Sequence, residues 1–171
     1  MTLTFAPLHA GMKRTGFSCG EPALDNYLAT QARQDMKRGF ATVITASDVG
    51  KPGTIIGYYT LSAASVLLDS LPENLARKMP RYPAVPAIRL GRLAVDVTRQ
   101  KEHVGALLLF DALRRACAYE IAWAVFLVDA KNAQVAAFYK KLQFHPFAHN
   151  PLALWMHRNQ VENLSANRHP H

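Results

Sequence analysis

Along this chain, short runs of β-branched residues alternate with stretches whose apolar side chains recur at helical spacing. Residues 3–8 predict an edge strand. In the following GFSCGEPALDNYLATQARQDMKRG, Pro22 suits a first helical turn, and Leu24, Tyr27, Leu28 and Ala32 form one apolar stripe that Gly39 brings to a stop. FATVITASD and TIIGYYTLSAASV read as strands around the turn signal VGKPG, so residues 40–66 predict a β-hairpin.

The next segment, residues 67–86, carries prolines at 72, 80, 83 and 86. It predicts a short helix over 73–78 and then an extended linker. AIRLGRLAVDV is a further strand. A helix over 105–119 follows, with Leu109, Leu113, Ala116 and Cys117 on one side. IAWAVFLVDA predicts a buried strand, NAQVAAFYKKL a helix and LALWMHR a late strand, and the chain after 159 reads as polar and frayed. Antiparallel strands thus come first, then a βαβ unit with 105–119 as crossover. The fold class is α+β: a mixed, mostly antiparallel central sheet flanked by helices, in one domain over 1–160 with a polar tail at 161–171.

Composition narrows this picture only a little. Half of the 171 residues are hydrophobic, enough for a proper core, and no charged-then-apolar leader or membrane-length apolar run is present, which points to the cytoplasm and to no membrane partner. Cys19 and Cys117 lie far apart without CxxC spacing and read as free thiols. Charge changes more. Twenty Lys+Arg against twelve Asp+Glu give a formal +8, spread along the chain rather than packed into an arm, and favour an anionic partner.

One junction could hold such an anion. The strand ending in Val95 enters the 105–119 helix through a basic turn containing Arg99, Lys101 and His103. A helix start leaves backbone N–H groups without partners, and the helix dipole adds positive potential there, which together suit a pyrophosphate. The dinucleotide and nucleoside-triphosphate loop spacings are absent, but Gln100-x-x-His103-x-Gly105-Ala106 follows the strand.

With that loop, FSCGEPALDNYL, GYYTLS, RLGRLAVD and VDAKNAQVAAFYKKLQF, nearly the whole chain resembles the GNAT acetyltransferase superfamily, and within it the acetyltransferase toxins of type II toxin–antitoxin modules. The resemblance implies the GNAT fold and acetyl-CoA as co-substrate. It implies a cofactor site formed by Leu93, Ala94 and Val95 on the strand and by Arg99, Gln100, Lys101, His103, Val104, Gly105 and Ala106 in the loop. Asn132 either reaches the cofactor or caps its helix; capping is the commoner role for asparagine at such a place. Tyr139 matches the family tyrosine near the thioester sulfur, where a phenol protonated at neutral pH can donate to the leaving thiolate. Two positions depart from the family pattern, which has glycine where this chain has His103 and Gln143.

The resemblance further implies an N-acetyltransferase toxin that acetylates the α-amino group of aminoacyl-tRNA, blocks translation and is neutralised by a cognate antitoxin; homodimers are common in the family. Arg89 and Arg92 beside the expected acetyl site are the candidate substrate-binding residues. Two other readings stand beside this one: an acetyltransferase for a small amine or a protein amino group, and a catalytically degenerate binding module. No metal is expected. His145 and His149 have ligand-like spacing, but Pro146 and the lack of helix signals argue against a pair. No general base is assigned.

Overall fold

Local signals in the sequence are realised with small shifts in the computed structural model, which describes residues 2–167. β1 (Leu3–Pro7) is followed by a helical segment built of α1 (Pro22–Asn26), a π-helical turn (Tyr27–Gln31) and α2 (Ala32–Arg38). Pro22 opens it, and Gly39 closes it in the left-handed region at φ 77°. β2 (Thr42–Asp48) and β3 (Gly57–Leu67) form the hairpin, α3 (Glu73–Ala76) is the short helix, and β4 spans Ala84–Val95. α4 (Val104–Cys117), β5 (Val125–Asp129), α5 (Ala133–Lys141), β6 (His145–Phe147), β7 (Asn150–His157) and α6 (Arg158–Ala166) complete the order.

The strands run β1-β2-β3-β4-β5-β7-β6 across one seven-stranded sheet. β1–β2, β2–β3, β5–β7 and β6–β7 are antiparallel, and β4–β5 is parallel. The fold is therefore the expected mixed α+β. The chain divides into two compact units: residues up to Ser62 with Gly91–Arg114, and Ala63–Leu90 with Arg115 onward. In the first, Leu8, Phe17, Leu28, Val43, Ile55, Tyr58 and Ala94 pack one core. In the second, Leu71, Val85, Ala87, Val125, Leu127, Phe147 and Trp155 pack another. Gly57 allows the close approach of α4 to β3 in the first unit. A Cβ there would lie 2.8 Å from Leu108 and 3.1 Å from the Ala94 carbonyl oxygen.

Three expectations need correction. The chain after 159 is not frayed: α6 holds Arg158–Ala166, because Val161 is buried, the His157 ring accepts from the Asn159 N–H, and Arg158 pairs with Glu162 at 2.8 Å. The strand predicted over 121–130 begins only at Val125; Ile121 is exposed, while Trp123 is buried and donates its indole N–H to the Ala116 carbonyl. The extended linker to residue 86 already belongs to β4 from Ala84. Cys19 and Cys117 are both free, though Cys117 is only half-buried at the end of α4. His169 and His171 lie outside the described residues.

Candidate active site

The first unit carries the basic turn. Asp96 caps it, accepting from the Thr98 N–H and hydroxyl, and its other oxygen accepts from the Ser18 N–H. These bonds hold the Asp96 carboxyl below its ordinary range against the opposing effect of burial. The Arg99 guanidinium meets Asp48 and Glu102 at 2.6 Å each. Gln100 donates its amide to the carbonyls of Cys19 and Val95. Both side chains, expected at the cofactor, thus brace the turn from within. Lys101 and His103 are exposed.

His103 has φ 59°, so it occupies the left-handed conformation in which glycine is at ease. That places a cost of roughly 1–2 kcal/mol on any other residue, although histidine visits the region more readily than most. The His103 carbonyl accepts from the Leu107 N–H, which makes His103 the entry residue of α4. The N–H groups of Val104, Gly105 and Ala106 precede the first intrahelical donor, the Leu107 N–H. A Cβ on Gly105 would meet only Leu93 and Val95 methyls at 3.8 Å, ordinary contact distance. Nothing in the protein itself requires glycine there.

Along β4 the two candidate arginines have different surroundings. Arg92, in the first unit, lies with its Cζ 3.7 Å from the centroid of the Tyr27 ring. The Tyr27 hydroxyl donates to Asp35 at 2.8 Å, and the Gln31 amide donates to the other Asp35 oxygen at 3.0 Å. Burial and the Asp35 bond push the Tyr27 phenol up to about 12, and the Gln31 and Tyr27 bonds hold the Asp35 carboxyl low. Among the described residues no carboxylate forms an ion pair with Arg92, although its charge helps to hold the Asp35 carboxyl low, and the guanidinium rests on an aromatic platform. Arg89, in the second unit, is ion-paired to Asp129 at 2.8 Å.

The second unit also carries Tyr139. It is 1% exposed on α5, with Phe138 and Phe144 rings at 5.4 and 5.6 Å. The helix that presents it is fixed at both ends. Asn132 caps its start, accepting from the Val135 N–H at 3.0 Å. At its end Gln143 turns left-handed at φ 70°. The Gln143 N–H bonds to the Lys140 carbonyl and the Phe144 N–H to the Tyr139 carbonyl, a Schellman motif. Both departures from the glycine pattern therefore fall where the backbone needs positive φ.

Other buried tyrosines give their hydroxyls inward: Tyr27 to Asp35, Tyr58 to the Leu24 carbonyl and Tyr59 to Asp111. The Tyr139 hydroxyl has no hydrogen-bond partner among the described residues, yet no buried side-chain oxygen or nitrogen is sealed off without one. Its oxygen therefore opens on accessible space. Burial, helped by the Asp129 charge, raises its pKa and keeps it protonated.

Known proteins bear on this arrangement. The chain is 36% identical over 145 residues to a tRNA-acetylating toxin of Mycobacterium tuberculosis (strain ATCC 25618 / H37Rv), covering 83% of this chain and 84% of that protein. It belongs to the family of tRNA-acetylating GNAT toxins. A probable toxin TacT of Sinorhizobium fredii (strain NBRC 101917 / NGR234) is 28% identical over 161 residues, 88% of each chain. Among solved structures, AtaT complexed with acetyl-methionyl-tRNAfMet superposes with a TM-score of 0.87 at 28% identity over 95% of this chain and 99% of that one. A tyrosine-to-phenylalanine mutant of KacT superposes with a TM-score of 0.88 at 26% identity over 96% and 99%. No protein-family model matches the chain.

Sequence reasoning missed the partners that set these sites: Asp129 for Arg89, and Tyr27 with Asp35 for Arg92. FSCGEPALDNYL did contain Tyr27, but only as part of an apolar stripe. Among the described residues no His/Cys/Asp/Glu group has metal-site geometry, and no helix is long and apolar enough to cross a membrane.

Proposed function

We propose that this toxin transfers the acetyl group of acetyl-CoA to the α-amino group of aminoacyl-tRNA in the cytoplasm, so blocking translation, and that a cognate antitoxin neutralises it. The observation that carries the reading is the Tyr139 hydroxyl: a protonated phenol, walled by aromatic rings, whose donor is not engaged by any described residue. The amine nitrogen attacks the thioester carbonyl, the C–N bond forms and the C–S bond breaks. Tyr139 gives its proton to the departing thiolate, and the proton shed by the new ammonium returns to the phenolate through water. The ester carbonyl of the aminoacyl group withdraws density from its own amine, so a neutral fraction is present near pH 7 and no protein base is required.

For the cofactor, the early N–H groups of α4 and its dipole supply an anion cradle, worth about 0.3–1 kcal/mol from the dipole when exposed. Gly105 supports this use, since a glycine inside a helix start costs roughly 0.5–1 kcal/mol and packing within the protein does not ask for it. Lys101 and His103 flank the cradle. Leu93, Ala94 and Val95 offer backbone groups to the pantetheine arm, although the Val95 carbonyl already accepts from Gln100. Asn132 acts on the cofactor only through the helix that it caps. Arg92 is the stronger candidate for tRNA phosphate, because it forms no direct ion pair with a described carboxylate whereas Arg89 is paired to Asp129. The basic chain also suits an antitoxin segment rich in acidic residues. The AtaT structures with the antitoxin AtaR and with acetyl-CoA support the same partners.

Purified protein incubated with radiolabelled acetyl-CoA and a pool of charged tRNAs tests the reading. Label is expected on charged tRNA only, and the Tyr139→Phe variant should lose it while still binding acetyl-CoA. Label on uncharged tRNA, or none despite acetyl-CoA binding, would overturn it.

A further inference from the structure

The Arg99 guanidinium sits between two carboxylates. Its Nη1 and Nη2 meet the two Asp48 oxygens at 2.6 and 3.3 Å, and its Nε meets Glu102 at 2.6 Å. Two negative charges thus answer one positive charge, so a phosphate would have to displace carboxylates to reach it. We propose that Arg99 is a positioning residue for acetyl-CoA: with Asp48 and Glu102 it clamps the turn before α4, so that the first N–H groups of the helix stand ready for the pyrophosphate. The inference rests on the cofactor cradle proposed above.

The clamp joins a fixed point to a strained one. Asp48 closes β2, and its backbone is paired with Leu3 of β1. At the other end Glu102 is tied to Arg99 twice, by its side chain and by its N–H, which bonds to the Arg99 carbonyl at 3.2 Å. The next residue is His103, at φ 59°, whose carbonyl accepts from the Leu107 N–H. A residue with a Cβ resists that conformation. Anchoring Glu102 to the sheet through Arg99 fixes the chain where the strain falls, so the N–H groups of Val104, Gly105 and Ala106 keep their direction without a ligand. A donor set ordered before binding has less freedom to lose when the anion arrives.

Burial strengthens the pairing. The Arg99 side chain is only 18% exposed, and it grips Asp48 with two nitrogens, the geometry in which a network of ion pairs outdoes a single surface pair. Asp96 and Gln100 brace the near side of the same turn through Ser18 and Cys19, and Arg99 carries it across to β2. Direct contact with the cofactor and positioning of the turn give opposite results at Asp48. If Arg99 touches a phosphate, removing the Asp48 carboxylate frees the guanidinium and takes a negative charge away from the anion, so affinity rises. If Arg99 positions the turn, the same change loosens it and affinity falls.

Titration calorimetry of the full chain with acetyl-CoA tests this. Arg99→Ala and Asp48→Ala should each raise the dissociation constant about tenfold, and the double variant should bind no worse than either single one, as for two members of one contact. S-acetylpantetheine, which has the thioester but no phosphate, supplies a second readout. With charged tRNA as acceptor, the ratio of kcat/KM for acetyl-CoA to that for S-acetylpantetheine should fall about tenfold in each variant. Tighter or unchanged binding in Asp48→Ala, additive losses in the double variant, or an unchanged donor ratio overturns the clamp. Equal use of the two donors by the wild-type protein would overturn the cradle and the clamp together. The expected binding pattern in a protein that transfers no acetyl group would instead overturn the transfer reading and leave the clamp in place.

Discussion

Tyr27 and Tyr139 are both buried phenols with raised pKa values, one in each unit, and they differ in what their hydroxyls do. Tyr27 donates to Asp35 and carries Arg92 on its ring face. Tyr139 is held only by aromatic neighbours, and its donor is left over. A folded protein ordinarily satisfies a hydroxyl at such depth. The pair teaches that burial alone does not distinguish a structural tyrosine from a reactive one; the disposition of the proton does.

Removing each hydroxyl in turn is the sharpest way to break this contrast. Tyr139→Phe should reduce kcat by about 10²–10⁴-fold, the usual weight of a positioned acid, with the acetyl-CoA dissociation constant unchanged by titration calorimetry. Tyr27→Phe should lower kcat less than about threefold but cost about 1 kcal/mol of stability, a drop of roughly 2–4 °C in Tm by scanning calorimetry. Equal kinetic losses would put both tyrosines in the chemistry and end the distinction. A smaller effect tests the platform. Arg92→Ala should raise KM for charged tRNA about tenfold at 50 mM salt and flatten its salt dependence by about one phosphate contact, whereas Arg89→Ala, which breaks a neutral pair, should leave the salt slope alone.

The resemblance carried in the sequence picked out Tyr139, and periodicity accounted for Pro22, Gly39, the β2–β3 hairpin and α4. What escaped was set by distance along the chain or by weak local signal. Arg89 finds Asp129 because β4 and β5 pair in parallel with Leu90 opposite Val128, a register that no local pattern encodes. α6 escaped because only Val161 among its residues is buried, too little for an apolar stripe. His103 and Gln143 were visible as departures from a glycine pattern, but the reason glycine belongs there, a positive φ at both, is a property of the folded backbone.

Those two residues supply a gentler comparison across the units. Gln143→Gly and His103→Gly should each stabilise the protein by up to about 1 kcal/mol in urea titrations, relief of left-handed strain being partly offset by the greater freedom of glycine when unfolded. Only His103→Gly should alter acetyl-CoA affinity, since Gln143 sits at the far end of α5. Alkali probes the tyrosines last. The Tyr27 phenol titrates near 10 when unfolded and about 12 when folded, so the folded state holds the proton longer. Its contribution to stability is complete below pH 10 and disappears as pH climbs toward 12. In Tyr27→Phe that part of the alkaline decline in Tm should vanish.

The π-helical turn Tyr27–Gln31 has a consequence for this platform that is a matter of phase. Eight residues of unbroken α-helix advance about 800°, leaving the eighth about 80° out of line with the first. One residue absorbed by the wider turn brings the remainder back to about seven steps, or 20° short of two full rotations. Asp35 thus comes into line beneath the Tyr27 hydroxyl because the helix loses step between them. Winding the same residues as unbroken α-helix would swing Asp35 away by about 80°, leaving Arg92 on a ring whose anchor had gone, whereas deleting a single residue from the turn would keep Asp35 in line at about seven steps.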